Sequence, residues 1–168
     1  MAEQTLIQTG FNLNSEKIGK AKASLEQARV CHERYLIRKD NTDLADAITN
    51  YIDAVKYDPS APEAYYRLAS LMWEQGQISV NTAIDQCKTA VSLAPDNMNA
   101  HLYAGYFMQV AENYTDAIGE FKSAIKSNRL KSARPRLVLS QALLQKINSD
   151  SAEIKDYMSF VYYFLSGD

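Results

Sequence analysis

A chain of 168 residues is long enough for one compact domain or one short repeat array, and too short for two unrelated enzyme domains. Its composition, 46% hydrophobic and 23% charged, is that of a folded protein and excludes extensive disorder. A formal net charge of -2 supplies no overall attraction to nucleic acid or to an anionic membrane.

Residues 1–14 precede the first helical pattern and are expected to be poorly ordered. The opening MAEQTLIQTGFNLNSEK has neither the basic start nor the apolar run of a signal peptide, so the expected setting is cytoplasmic and reducing. From Ser15 onward, Ile18, Ala21, Leu25, Ala28, His32 and Tyr35 recur at helical spacing and predict one long helix. The next helix places Ala47-Ile48, Tyr51 and Ala54-Val55 on one face and stops at Asp58-Pro59. Ser60, Pro62 and Glu63 then form a start signal, with Ser60 as the cap, Pro62 in the first turn and Glu63 completing a capping box. Asp96 and Asp150 are expected to cap later helices in the same way. Cys31 and Cys87 lie within helical patterns without CxxC spacing, so they read as small core residues and not as a disulfide or zinc pair. Asn113-Tyr114-Thr115 is a glycosylation sequon by letters only. The longest apolar run, Phe160 to Leu165, falls far short of the roughly 20 residues of a membrane span.

The face of the second helix is repeated. Ala83-Ile84, Cys87, Ala90-Val91 and Pro95 match it 36 residues on, and Ala117-Ile118, Phe121 and Ala124-Ile125 match it again after a further 34, with Arg129 in place of the proline. Between these copies a second pattern recurs: Tyr65, Leu68-Ala69 and Met72; His101, Ala104-Gly105 and Met108; Arg136, Leu139-Ser140 and Leu143. Each instance carries a small residue just after its middle apolar one, which permits close approach of a neighbouring helix. The unit is therefore helix, short turn, helix.

This unit resembles the tetratricopeptide repeat, whose first helix reads W-x2-L-G-x2-Y and whose second reads A-x3-F before a closing proline. The resemblance covers about four-fifths of the chain and is best from Tyr65 to Pro95. It implies an all-α, right-handed α-solenoid of three to four units, at about 16–59, 62–95, 98–129 and 133–165, within one domain spanning 15–165 and followed by a short tail, 166–168. Terminal units need capping, and the last helix, IKDYMSFVYYFL, is expected to supply it.

In this family the first helix of each unit lines the inner surface. By that correspondence the inner face receives Glu26, Arg29, Glu33 and Ile37; then Glu63, Tyr66, Arg67, Ser70, Trp73 and Glu74; then Asn99, Leu102, Tyr103, Tyr106 and Gln109; and last Arg134, Leu137, Val138, Gln141 and Gln145. From these, Tyr66, Arg67, Ser70, Trp73, Asn99, Tyr103, Tyr106, Arg134, Leu137 and Gln141 form the expected partner-binding set. The aromatic members combine large burial with a polar tip, the profile of binding anchors, although eleven tyrosines also supply packing between helices.

The resemblance implies a non-catalytic scaffold or adaptor that binds a protein or peptide, with no cofactor and no metal. Its carboxylate-clamp variant, which grips acidic chaperone tails, is disfavoured. At the corresponding positions Arg29, Glu33, Arg67, Asn99 and Tyr103, Glu33 repels a carboxylate and Tyr103 removes a cation. An apolar or amphipathic segment suits the groove better. The cationic cluster Lys122, Lys126, Arg129, Lys131, Arg134 and Arg136 reads as a solvated turn, so nucleic acid is not an expected partner. The acidic stretch Asp40, Asp43, Asp46, Asp53, Asp58 and Glu63 leaves self-assembly as the alternative, through charge-polarised ends or the aromatic C-terminal helix, giving a homo-oligomer. His32 and His101 show no carboxylate or thiol partner at motif spacing and read as packing residues.

Overall fold

The computed structural model describes the backbone of residues 2–127 and 133–150, and the side chains of 15–127 and 133–146. Its helices are α1 (Ala2–Arg38), α2 (Asn41–Tyr57), α3 (Pro62–Glu74), α4 (Val80–Leu93), α5 (Met98–Val110), α6 (Tyr114–Lys126) and α7 (Arg134–Asp150), with no strand among the described residues. Consecutive helices pair in the order α1–α2, α3–α4 and α5–α6, each pair stacks on the next, and α7 packs on α6. The first helices also touch their counterparts, α3 against α5 and α5 against α7. This is the expected all-helical repeat. Residues 151–168, which hold the expected capping helix, lie outside the described residues.

Helix α1 begins at Ala2, and the expected start near Ser15 is corrected. No proline interrupts the N-terminal stretch, so nothing there forbids the helical backbone.

The capping residues differ from expectation in two places. The α3 cap position is Ala61, whose methyl group cannot cap, and the Ser60 hydroxyl expected there donates instead to Asp58 Oδ1 at 2.6 Å. Pro62 opens the helix and needs no amide partner there. At α5 the cap is Asn97 and not Asp96, its Oδ1 accepting from the amides of Asn99 and Ala100 at 2.9 and 3.1 Å. Asp150 closes α7, and its expected capping of a later helix falls outside the described residues. Asp40, Ser79 and Asn113 cap α2, α4 and α6. Asn113 of the sequon thus holds a helix end, and its Nδ2 also donates to Asp116 at 2.7 Å.

The turns inside the second and third units are built alike. After α3 the amide of Gln77 bonds to Met72 O and that of Gly76 to Trp73 O, the paired bonds of a Schellman motif, with Gly76 at φ 67. After α5 the same pair joins Asn113 to Met108 and Glu112 to Gln109, but Glu112 adopts φ 60 without the freedom of glycine.

The repeated stripe is the core. Ala47, Ala54, Ala83, Ala90, Ala117 and Ala124 are fully buried, as are Tyr51, Cys87 and Phe121 at the central position of each copy. Side-chain volume is exchanged across the seam between paired helices. Cys87 packs in one cluster with Ala69, whereas the larger Phe121 closes on Gly105, where an added Cβ would sit 2.5 Å from its Cε1. Glycine is required at 105 for that contact.

His101 has two partners that sequence spacing did not show, which corrects the expectation of a histidine without a carboxylate. Its Nδ1 lies 2.7 Å from Glu120 Oε2 and its Nε2 lies 2.8 Å from the carbonyl of Pro95. Both neighbours are acceptors, so only the imidazolium can donate to each, and it ties α5 to α6 and to the preceding turn. The bond to Glu120 raises the His101 pKa, burial opposes that rise, and the Pro95 carbonyl and the charges of Glu120 and Asp96 support it. A raised folded pKa makes this contribution to stability complete below about pH 6.5 and removes it as pH climbs through the folded value. His32, beside Tyr51 at 3.4 Å, is shifted the other way, by burial first and then by Arg67. Its shift costs stability as pH falls below about 6.5. Melting curves of the wild type and His101→Gln across pH 5.5 to 8.5 separate the two. The wild-type advantage should be greatest at the acid end and shrink toward the alkaline end; a constant difference would remove the imidazolium from the account.

Candidate functional site

The inner faces of α3, α5 and α7 enclose a cavity of about 400 Å³ lined by Ser70, Trp73, Glu74, Leu102, Tyr103, Tyr106, Arg134 and Val138. This volume is within the usual range for sites that accept a side chain or small ligand. Each helix reaches the cavity through residues one turn apart, because its remaining stripe is committed to packing. On α3, Ala64, Leu68 and Leu71 pack toward the first unit. On α5, Ala100, Ala104 and Phe107 pack toward the second.

An aromatic framework shapes the walls. Trp73 meets Tyr106 and Phe107 edge-on, with centroids 6.1 and 5.5 Å apart, and Tyr106 meets Phe107 at 5.2 Å. Phe107 is fully buried and serves as the fixed pivot, while Tyr106 keeps 45% of its surface exposed. Tyr103 stacks on Tyr66 at 4.9 Å with 24° between the ring planes. Tyr66 is buried, so it supports Tyr103 and offers no contact surface of its own. Burial pushes the Tyr66 hydroxyl pKa up to about 12, with a hydrogen bond from Asn99 opposing the rise. At the rim, Glu74 accepts a hydrogen bond from Tyr35 at 2.9 Å, which fixes this carboxylate against α1.

One turn before the cavity lies a cluster of charge. Arg29 donates to both carboxylate oxygens of Glu63, through Nε to Oε1 at 3.0 Å and through Nη2 to Oε2, and its Nη1 donates to Glu26 at 2.9 Å. Arg67 Nε donates to the same Glu63 Oε1 at 2.7 Å. Burial alone would raise the Glu63 pKa, but the hydrogen bond from Arg29 and the charge of Arg67 hold it below the usual carboxylate value. Two guanidinium groups therefore share one partly buried carboxylate.

The structure brings Ser70, Trp73, Tyr103, Tyr106 and Arg134 of the expected set to one cavity, together with Glu74, Leu102 and Val138 of the inner face. Tyr66, Arg67 and Asn99 stand one turn away. Leu137 and Gln141 are exposed and do not line the cavity. The rotation of α7 explains this: burial of Leu139, Ala142 and Leu143 against α6 turns Arg134 and Val138, four residues apart, toward α5. Gln145 belongs to the same face, and the amide of Gln109 donates to it from α5.

Among the described residues, no group of three or more His, Cys, Asp or Glu side chains is placed to hold a metal. Burial pushes the Cys87 thiol pKa up to about 12, far from a thiolate nucleophile, and Cys31 is buried beneath bonds from Gln27 and Arg34. No helix among the described residues is long and apolar enough to cross a membrane.

Residues 39–76, from the turn before α2 to the turn after α3, match the family model described as TPR repeat. No curated protein matches the chain. Among solved structures, the Thermobaculum terrenum O-GlcNAc transferase mutant K341M superposes with a TM-score of 0.62 at 22% identity; the match covers 76% of this chain and only 22% of that one. The TPR2B domain of yeast Sti1, in its pHsp70 complex, gives 0.61 at 19% identity over 73% of this chain and 98% of that one. The MamA protein gives 0.61 at 19% identity, covering 97% of this chain and 93% of that one. The likenesses establish the fold, an all-α helical repeat, and residues 39–76 carry one match to the tetratricopeptide repeat.

Proposed function

We propose that the chain is a non-catalytic interaction module that holds an extended partner segment across α3, α5 and α7, with an apolar or aromatic side chain of that segment in the cavity. The observation behind this reading is the cavity itself, walled by Trp73, Tyr103 and Tyr106 and braced by the buried rings of Tyr66 and Phe107. Bracing fixes the walls before binding, so little conformational entropy is lost when the partner docks. The pHsp70 complex of the Sti1 domain is an instance of partner binding on the same fold.

The charge cluster argues against a double carboxylate clamp here. Arg29, the residue best suited to such a role, is held by Glu63 and Glu26, and Glu63 would repel a second anion beside it. Within the acidic stretch behind the alternative of self-assembly, four of the six residues are engaged inside the chain: Asp40 caps α2, Asp43 pairs with Arg34 at 3.0 Å, Asp58 binds Ser60, and Glu63 binds the two arginines.

Peptides selected on the wild-type chain should lose affinity by about 30-fold on Trp73→Ala, the scale of an interface hot spot. Titration calorimetry with matched circular dichroism checks both affinity and fold. Unchanged binding by a fully helical variant would remove the cavity from the binding site.

A further inference from the structure

Glu74 stands at the unfavourable end of its helix. It is the last residue of α3, where the helix dipole places partial negative charge, and no basic residue in the last turn answers it. A carboxylate in that position costs stability, and local rules of this kind are broken chiefly at functional sites. The Glu74 side chain is exposed at the rim, yet it shares the lining of the cavity with Trp73, Tyr103 and Tyr106.

The carboxylate is also held in place. Tyr35 donates to its Oε1 at 2.9 Å from α1, and the Tyr35 ring, only 6% exposed, belongs to the core cluster of Leu44, Leu68 and Leu71. The Lys39 ammonium lies 4.9 Å from the centre of the same ring. A buried ring thus fixes the end of a solvent-facing side chain. Because the donor is a neutral hydroxyl, the charge of Glu74 is left unanswered, and no described residue bonds its second oxygen.

These features limit what the cavity accepts. Glu74 and Arg134 line it with opposite charges, so a charged side chain of either sign meets one like charge. The aromatic walls favour a ring. A ring without a donor would displace water from the Glu74 carboxylate and return no bond to it, whereas an N–H or O–H on the ring restores one.

Resting on the groove reading above, we infer that the side chain held in the cavity is a neutral aromatic with a hydrogen-bond donor, Trp or Tyr, whose indole N–H or phenolic O–H bonds to the Glu74 carboxylate. Glu74 determines the specificity, and Tyr35 is a positioning residue that acts through it without touching the partner. Water still reaches Glu74 at the rim, which keeps the discrimination to about fivefold against a ring of equal size that lacks the donor.

The test begins with selection of phage-displayed random peptides on the full chain, which should enrich Trp or Tyr at one position. In the synthetic consensus peptide, Trp is then exchanged for 3-benzothienylalanine, in which sulfur replaces the indole N–H, or Tyr is exchanged for Phe. The wild-type chain should bind the donor-bearing peptide about fivefold more tightly than its partner, and this ratio should fall below about twofold on Glu74→Leu and on Tyr35→Phe. A purely structural role for Tyr35 would weaken both peptides alike; an unchanged ratio on Tyr35→Phe overturns its positioning role. A consensus of Phe, Leu or Met, a consensus of Lys or Arg, or a ratio that persists on Glu74→Leu overturns the inference and leaves the groove reading standing. Failure to select any peptide, or peptides that bind Trp73→Ala as well as the wild type, overturns the groove reading itself. Thermal melts of each variant confirm that binding was measured on folded protein.

Discussion

Phe121→Ala should destabilise the chain by about 3–5 kcal/mol, the range for removing a fully buried aromatic ring. Phe121 fills the space between α5, α6 and α7, with Leu102, Met108, Leu139 and Leu143 in the same cluster. Backbone segments in a helical pair cannot collapse far enough to close a void of that size, so the lost contacts are not recovered. In a stacked array each unit depends on its neighbours, and the loss should be concentrated in α5 to α7. Urea unfolding followed by circular dichroism measures the total, and hydrogen exchange locates it. Loss of protection beginning in α1 and α2 would contradict the assignment of Phe121 as the anchor of the third unit.

Gly105→Ala should also destabilise, although alanine is the better helix former. Restored helix propensity offers about 1 kcal/mol. Against that, the new Cβ would stand 2.5 and 2.7 Å from Phe121 Cε1 and Cδ1, and this ring is fully buried with nowhere to turn. Overpacking of this kind costs about 1–3 kcal/mol, and contact this short places the result toward the upper end. The sign should reverse when Phe121 is alanine. With the ring gone, Gly105→Ala keeps only its helical advantage and should stabilise by up to about 1 kcal/mol relative to Phe121→Ala alone. Additive effects in the double-mutant cycle would show that the glycine and the ring do not answer one another.

The same pairing explains why the repeat was readable from sequence. Burial of one stripe per helix forces apolar and small residues to recur at helical spacing, and stacking forces the stripe to recur in each unit. Alanine at 47, 83 and 117, with Tyr51, Cys87 and Phe121 four positions later, marks the second helices without reference to anything distant. The small residues Ala69 and Gly105 mark the first helices for the same local reason. Turn chemistry was less legible. Ser60 and Asp58 compete for the same few backbone donors, as do Asp96 and Asn97, and the choice between adjacent polar residues depends on the entry angle that packing imposes on the chain.

Amino-acid order alone determined the helix-turn-helix unit and the core stripe, because each follows from the 3.6-residue period acting within a single helix, while the inner-side placement of Trp73, Tyr103 and Tyr106 came from the resemblance to the repeat family. Only the tertiary structure decided how the inner residues divide. Tyr66 became a support because Tyr103 of the next unit stacks on it. Glu63 became the shared partner of two arginines because stacking brings Arg29 to it across 34 residues. Leu137 turned outward, and Val138 inward, because the buried side of α7 fixes its rotation. Contacts between units arise from rotation and distance between helices, which no local spacing encodes, and those contacts separate the residues that brace the cavity's walls from the residues left open to it.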